Sequence, residues 1–478
     1  MSKRVAVIGA GPAGMTAAFV LTKSRAKVDV YEASDQVGGL SRSLHLWDQI
    51  VDLGPHRFFS RDRRVNSLWL EVVGRDYVMV PRLTRILYRG KYFQYPLQAM
   101  DALQRLGLLE ATRCVASYGA ARFKQQKDCS ESFESWVTNR FGRRLYEIFF
   151  RNYSEKLWGI PCSELDSDFA AQRIRKLSLG AAIKQLAVRP QKNKHRTLVD
   201  RFAYPNGGTG AVYERMAEMV NERGGSVHLG APVKRVVTAS GRVRGIELYS
   251  GNVVSCDDVI SSMPLSSLIS RLNDAPEHIR EDAQRLTYRN TILVYLEIAG
   301  EIDSRDNWIY VQDPGLTVGR ITNFRNWSPS LYGDSPNTIL SLEYWCDSGD
   351  ELWHRSDHEL VCLGASEFRA SRLASDGANV LRSHVVRIPR SYPVYQRGYK
   401  DILRPIQDFI RNVEGLQAIG RYGAFKYNNQ DHSILMGILA AENVAAGSAH
   451  DLWQVNSDFD DYQEACRIEE TGLVPAPC

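Results

Sequence analysis

Cysteine is sparse in this 478-residue chain, with eight residues, at positions 114, 129, 162, 256, 346, 362, 466 and 478. None forms a C-x-x-C pair or stands at metal-ligand spacing from a histidine, so no zinc or dithiol motif is present. Free thiols in a reducing compartment are the expectation. No apolar run approaches the roughly 20 residues of a membrane span. Met1-Ser-Lys-Arg4 leads directly into an apolar run and a glycine turn with no cleavage-type site, so no signal peptide is predicted and a cytoplasmic location is expected. No basic run is interleaved with aromatics, and the net charge of +5 is small for this length. Nucleic acid is therefore not an expected partner. The basic segment 189–196 reads as a solvated loop. There is no internal repeat and no low-complexity tract. Hydrophobic content of 44% and charged content of 24% are those of a globular protein, and the length predicts two or three domains.

What the chain does have stands at its beginning. Val5-Ala-Val-Ile-Gly9-Ala-Gly11-Pro-Ala-Gly14 is an apolar run that breaks into G-x-G-x-x-G, and Lys27-Val-Asp-Val-Tyr-Glu32 is a second apolar run closed by an acid. This reads as strand, tight turn, helix, strand, acid. Gly9 allows the turn, Gly11 lets backbone approach a pyrophosphate, Gly14 lets helix and strand pack closely, and Glu32 meets a ribose hydroxyl. The helix N-terminus favours the anion. Gly38-Gly39 is a second glycine turn close to the same ligand.

The pattern predicts an α/β fold with a discontinuous nucleotide-binding domain built from 1–80, 203–275 and 412–446. Helical spacing dominates 97–200, taken as a substrate-side domain. Alternating runs in 81–96 and 276–411 predict an antiparallel-sheet domain, with Arg89-Gly90-Lys91 as a hairpin turn. Residues 447–478 read as a loosely held tail. A fingerprint at the start whose domain resumes near the far end suggests FAD, since simple NAD dehydrogenases usually keep this unit continuous.

Five clusters carry possible chemistry. Asp52-Leu-Gly54-Pro-His56-Arg-Phe-Phe59 is either an ordinary Gly-Pro loop or one presenting a functional histidine. Phe149-Phe-Arg-Asn-Tyr153-Ser-Glu-Lys156-Leu-Trp158-Gly159 is either a helix end packed on the core or an aromatic ligand wall. Asp200-Arg-Phe-Ala-Tyr204-Pro-Asn-Gly207-Gly208 is either the lead into a helix or part of a site. Tyr288-Arg289 opens a β-type run, where a lone arginine is usually a surface residue. Gly420-Arg421-Tyr-Gly423-Ala-Phe-Lys-Tyr427-Asn-Asn429-Gln-Asp431-His-Ser433 precedes a helix from about 433 to 446 that Asp431 or Ser433 could cap. That N-terminus also suits a flavin carbonyl, which gains negative charge on reduction.

Together these segments resemble the amine oxidase/protoporphyrinogen oxidase superfamily of FAD proteins, and within it the UDP-galactopyranose mutases. The Gly-Pro-His-x-Phe, Tyr-x-x-Lys-x-Trp-Gly, Asp-Arg-Tyr/Phe to Pro-x-Gly-Gly, Tyr-Arg and Gly-Arg-x-Gly-x-x-x-Tyr segments occur in that order from residue 54 to 427. The resemblance implies a glutathione-reductase-like FAD domain. It implies Gly9, Gly11, Gly14, Glu32, Gly38, Gly39, Gly54, His56, Gly420, Arg421, Asp431 and Ser433 around FAD, with His56 beside the flavin ring. It implies Phe149, Tyr153, Trp158, Tyr204 and Asn429 at the substrate. Arg289 and Arg173 would hold a diphosphate by their planar donor forks, and Tyr427 would contact diphosphate or sugar. His56, Arg289 and Tyr427 are the implied catalytic residues. Two positions depart from the mutases: Phe59 stands where they carry a second histidine, and Asn429 replaces the first acid of an Asp-x-Asp pair.

The resemblance implies a redox-neutral ring isomerisation of a nucleoside-diphosphate sugar through a flavin N5–sugar adduct. The flavin would have to be reduced, so NAD(P)H or another reductant is an expected partner. The alternative is an FAD-dependent oxidase or desaturase taking hydride from a small molecule, which the two departures favour. A non-catalytic flavin-binding protein would leave the pocket clusters without purpose.

Overall fold

The computed structural model describes residues 2–97, 99–123, 132–168, 201–374, 377–456 and 466–475. Arg173 and the basic segment 189–196 lie outside the described residues. Two compact units form, one from Met1–Val80, Phe202–Thr287 and Tyr399–Cys478, the other from Pro81–Arg201 and Tyr288–Gly398. The helical stretch and the antiparallel sheet thus share one unit, where the sequence suggested two. Segments 276–287 and 399–411 go with the nucleotide-binding unit, because helix Glu277–Gln284 packs on helix Tyr399–Arg411.

In the first unit, strand β1 (Arg4–Ile8), helix α1 (Pro12–Leu21) and strand β2 (Lys27–Tyr31) begin a five-stranded parallel sheet. Its order is Leu416–Ala418, Asp258–Ser261, β1, β2, Ser226–His228. β1 lies between two parallel neighbours, Val5 opposite both Asp258 and Val28. A central parallel strand is covered on both faces, which is why β1 reads as an unbroken apolar run rather than an alternation. α1 packs on helix Gln430–Ala446. A Cβ at Gly437 would stand 2.5 Å from the Ala13 carbonyl oxygen, so this glycine lets the two helices touch. Within the stretch expected to be a loosely held tail, Cys466–Glu469 and Gly472–Pro475 form a hairpin. It packs on helix Arg63–Val73, and the Tyr77 hydroxyl donates to the Glu469 carbonyl at 2.6 Å.

The second unit holds a seven-stranded sheet ordered Val380–Pro393, Tyr288–Ile298, Thr338–Cys346, Arg320–Asn323, Trp308–Val311, Thr84–Tyr88, Lys91–Gln94. It is antiparallel except that Thr84–Tyr88 and Trp308–Val311 run parallel. Ile292, Val294, Leu296, Leu340, Leu342 and Tyr344 point into an apolar core closed by Leu360 and Phe368 of helix Asp357–Ser371. The period of two along a strand sends the intervening residues to the opposite face. There stand Tyr310, Arg320, Glu343 and Trp345. Helices Leu108–Phe123, Phe133–Phe141 and Arg143–Tyr146, a π-turn over Glu147–Arg151 and helix Asn152–Trp158 belong to the same unit. Among the described residues no helix is long and apolar enough to cross a membrane, and no cluster could hold a metal ion. Cys114, Cys162, Cys256 and Cys346 are buried free thiols and Cys362 is exposed.

Candidate functional site

The first unit builds a bare backbone cradle. After β1 the chain turns at Gly9, whose φ of +95° lies in the region that favours glycine. A Cβ at Gly14 would lie 1.9 Å from the Gly9 carbonyl oxygen, so α1 can start flush against the turn only with glycine there. A Cβ on Gly39 would come within 3.1 Å of the Gly11 Cα, so the two glycine turns face each other. Gly38 opens the second turn. Just beyond β2, one oxygen of Glu32 accepts from the Ala10 N–H at 2.7 Å. The other accepts from the Ser34 N–H and hydroxyl, each at 2.9 Å. The carboxylate is thereby oriented with lone pairs left for ribose hydroxyls. Arg42 closes the second glycine turn, and its Nε is buried without a hydrogen-bond partner among the described residues. A buried guanidinium nitrogen lacking an acceptor suits a bound pyrophosphate. Sequence reasoning missed Arg42; its only signal was a cation three residues after Gly39. The bare cradle, the oriented acid and the orphaned cation fit FAD.

In the same unit Gly54, at φ +107°, leads into Pro55-His56. The His56 carbonyl accepts from Thr209 Oγ1 at 3.0 Å and from Gln430 Nε2 at 3.3 Å, and the Tyr213 hydroxyl holds Gln430 Oε1 at 2.8 Å. The histidine loop is thus tied to the first residue of helix Gln430–Ala446. That helix starts about one turn earlier than expected, and its cap is Asn429 rather than Asp431 or Ser433. The Asn429 N–H donates to His432 Nδ1 at 3.3 Å. Asp431 and Ser433 are buried in the first turn, and Asn429 is exposed. Gly420 lies against α1, where a Cβ would meet that of Ala13 at 3.0 Å. The Arg421 guanidinium covers the Tyr427 ring at 4.6 Å.

Tyr204, expected at the substrate, belongs to the core. It is fully buried and its hydroxyl donates to Asp52 at 2.7 Å. The same carboxylate accepts from Ser43 Oγ at 2.6 Å, from the Thr209 N–H at 3.1 Å and from Thr209 Oγ1 at 2.8 Å. Burial pushes the Asp52 carboxyl above its ordinary value, against the pull of these bonds. This knot holds the turn after Tyr204 in place.

In the second unit, helix Asn152–Trp158 ends at Gly159, φ +69°, where a Cβ would fall 2.2 Å from Arg289 Nη1. The Arg289 Nε donates to the Leu157 carbonyl at 3.3 Å, and Nη2 donates to those of Lys156 at 3.3 Å and Trp345 at 3.0 Å. Nη1 pairs with Asp347 and lies 3.6 Å from Asp350. With all three of its nitrogens engaged, Arg289 caps the helix C-terminus. Its partners here are the protein's own carbonyls and Asp347, where the resemblance implied a diphosphate. Trp158 is buried and stacks 6.4 Å from Tyr395, and Phe149 is buried edge-on to Phe93 at 5.3 Å. Both pack the interior instead of lining a site.

Tyr153 is half-buried and meets both Tyr310 and Trp345 edge-on at 5.5 Å. Tyr95 lies 5.0 Å from Tyr310, and the Arg82 guanidinium stands 5.8 Å from the Tyr95 ring. Arg82 Nε is buried without a hydrogen-bond partner among the described residues. Arg320 grips Glu343 with two bonds of 2.7 Å. Trp345 Nε1 and the Tyr392 hydroxyl donate to the same acid at 2.9 and 3.2 Å. Burial disfavours the Arg320 charge, but Glu343 outweighs it and holds the guanidinium well above its ordinary value. Sequence reasoning singled out Tyr153 alone from this face. The alternation along Trp308–Val311 and Thr338–Cys346 could have found Tyr310, Glu343 and Trp345.

A zeta-carotene-forming phytoene desaturase of Myxococcus xanthus is 25% identical over 359 residues, 70% of this chain and 68% of that protein. Coproporphyrinogen III oxidase of Staphylococcus aureus is 21% identical over 93% of this chain and 100% of its own. The crystal structure of reduced UDP-galactopyranose mutase matches with a TM-score of 0.83 at 22% identity, covering 96% of this chain and 97% of that one. At that identity the likeness is one of fold. The flavin containing amine oxidoreductase family matches residues 12–445, which takes in Gly14, Gly38 and Gly39 of the cradle, the His56 loop and the aromatic sheet face. The chain therefore belongs to that family, and it is an FAD-dependent enzyme.

Proposed function

We propose that the enzyme isomerises the ring of a nucleoside-diphosphate sugar, between pyranose and furanose forms, without net oxidation. The observation that carries this reading is the character of the sheet face in the second unit. A polyene would call for an apolar lining, whereas Tyr95, Tyr153, Tyr310 and Trp345 stand here with Arg82 and the Arg320–Glu343 pair. Aromatic rings bind bases and sugars, and a guanidinium with an unused donor binds a diphosphate. The fold likeness to UDP-galactopyranose mutase supports the same reaction class.

Gly9, Gly11, Gly14, Gly38 and Gly39 would bare the backbone to the FAD pyrophosphate, with Arg42 meeting its charge and Glu32 the ribose. The His56 loop and the N-terminus of Gln430–Ala446 would hold the isoalloxazine end. Reduced FAD supplies a nucleophilic nitrogen, and oxidised FAD a hydride acceptor. Arg82 would neutralise charge on the departing diphosphate, in the role the resemblance implied for Arg289. Tyr153 and Tyr310 would orient the sugar and base. Glu343 is held by three donors and serves to fix Arg320 and Trp345, not to move protons.

The second reading is an FAD-dependent oxidase or desaturase. It is favoured by Phe59 and Asn429, which stand where the mutases carry histidine and aspartate, and by the oxidase and desaturase relatives. One assay separates the two. Dithionite-reduced enzyme should convert a nucleotide-sugar into an isomer of equal mass with no flavin turnover. A product two hydrogens lighter, formed with stoichiometric flavin reduction, would overturn the isomerase reading.

A further inference from the structure

Helix Leu108–Phe123 turns its apolar side outward. Leu108 is 86% exposed, Leu109 66%, Val115 47% and Phe123 94%. At about 100° per residue, these four fall on one arc about 140° wide together with Ala116, Gly119, Ala120 and the exposed Thr112, whose hydroxyl is turned back onto the Leu109 carbonyl at 2.9 Å. Arg122 borders one edge of that arc and Arg113 the other, and both are exposed. The opposite side does the packing. Cys114 is buried there, and Ser117 Oγ accepts from the Arg144 N–H at 3.1 Å. The helix's one acid, Glu110, also lies on that side, bound by Arg113 at 2.6 Å and Arg144 at 2.7 Å. A surface helix that buries its polar side and exposes its apolar one inverts the ordinary pattern.

We infer that this helix is a docking surface for an anionic lipid bilayer, lying in the headgroup plane with Leu108, Leu109, Val115 and Phe123 inserted. Charge complementarity selects that occupant. The arc carries no carboxylate. On one rim Arg122, held by Nε to the Tyr118 hydroxyl at 3.1 Å, leaves a positive charge that no acid among the described residues meets. On the other the exposed Arg113 would exchange Glu110, which Arg144 also binds, for a lipid phosphate as the apolar strip enters the acyl boundary. A second copy of the chain would bring the arginine rims of both helices to one seam with no acid on either arc to meet them. At about 22 Å the helix is too short to span a bilayer, so the attachment is peripheral and reversible. The inference is independent of the nucleotide-sugar reading.

The test is sedimentation of the full FAD-loaded chain with sucrose-filled vesicles of phosphatidylglycerol and phosphatidylcholine, against vesicles of phosphatidylcholine alone. Binding to the anionic vesicles is expected, weakening in high salt. The double variant Leu108→Glu, Phe123→Glu should lose at least about tenfold in affinity. The double variant Arg113→Gln, Arg122→Gln should lose about fivefold for each charge. All four side chains are exposed, so melting temperature and flavin absorbance should match the parent and show that the fold is kept. No binding to anionic vesicles, or equal binding by the Leu108/Phe123 variant, overturns the inference. So does a dimer seen by light scattering that the same substitutions dissolve.

Discussion

Replacing Arg289 with alanine should unfold the second unit before it touches substrate affinity. The guanidinium satisfies the carbonyls of Lys156, Leu157 and Trp345 and pairs with Asp347. Each charge-assisted bond lost from a buried carbonyl costs about 1.5–3 kcal/mol. Two effects reduce the plain sum. Water can enter the space that the side chain leaves, and Asp347 is 49% exposed and rehydrates, so its share stays near the 0–1 kcal/mol of an exposed pair. The net expectation is a loss of about 3–5 kcal/mol, the three carbonyl bonds discounted for the water that replaces the side chain. For a domain of this size that lowers the melting temperature by roughly 6–20 °C. Calorimetry of the FAD-loaded protein reads this directly. Asp347→Ala, by contrast, should cost about 1 kcal/mol or less. If Arg289→Ala melts with the parent and only nucleotide-sugar affinity falls, the capping argument is wrong and Arg289 is a ligand after all.

Two further outcomes follow from the geometry. Gly14→Ala places a methyl 1.9 Å from the Gly9 carbonyl oxygen, so α1 must move off the cradle at a cost of about 1–3 kcal/mol. The variant should purify with far less flavin per chain than the parent, and full occupancy by the absorbance ratio would refute the cradle. Lys156 is lowered by burial from 10.5 to about 8, with Glu367 and Asp313 opposing the shift. The folded chain then releases this proton near pH 8 and the unfolded chain only near 10.5, so between those values the unfolded state binds more protons and stability rises with pH. Denaturant titrations across that window should show the rise in the parent and its loss in Lys156→Met; matching slopes would contradict the assignment.

The nucleotide-binding end is legible in the sequence because its constraints act on the backbone. At Gly9 and Gly14 no other side chain fits the turn, so the residue identities carry the geometry with them. The discontinuous sheet is legible for a similar reason. Parallel strands buried on both faces leave plain apolar runs at Val5, Val259 and Leu416. The grouping into units was harder to see, since it depends on which surfaces helix Asn152–Trp158 and helix Glu277–Gln284 cover. The hairpin Cys466–Pro475 was missed because its stability comes from helix Arg63–Val73, far away in the chain.

Burial is what the aromatic clusters hide. Phe149, Trp158 and Tyr204 stand in aromatic runs that lead to glycines and look like ligand walls, yet each is enclosed, and the Tyr204 hydroxyl is bound by Asp52. Trp158-Gly159 and Tyr288-Arg289 look like two separate binding segments. In space they are one device, since a glycine without Cβ leaves room for the guanidinium that closes the helix end. That has a consequence for the substrate's charge. If the capping arginine is fully used, a diphosphate needs another cation in this unit. Arg320 is held by Glu343, and Lys156 is bonded to the Asp313 carbonyl at 2.8 Å. Arg82, with a buried Nε lacking an acceptor and Tyr95 beneath its guanidinium, has the capacity those two lack. The nucleotide-sugar reading therefore rests on a residue that no motif marks, and on the strand alternation that sets Tyr310 and Trp345 on the polar face.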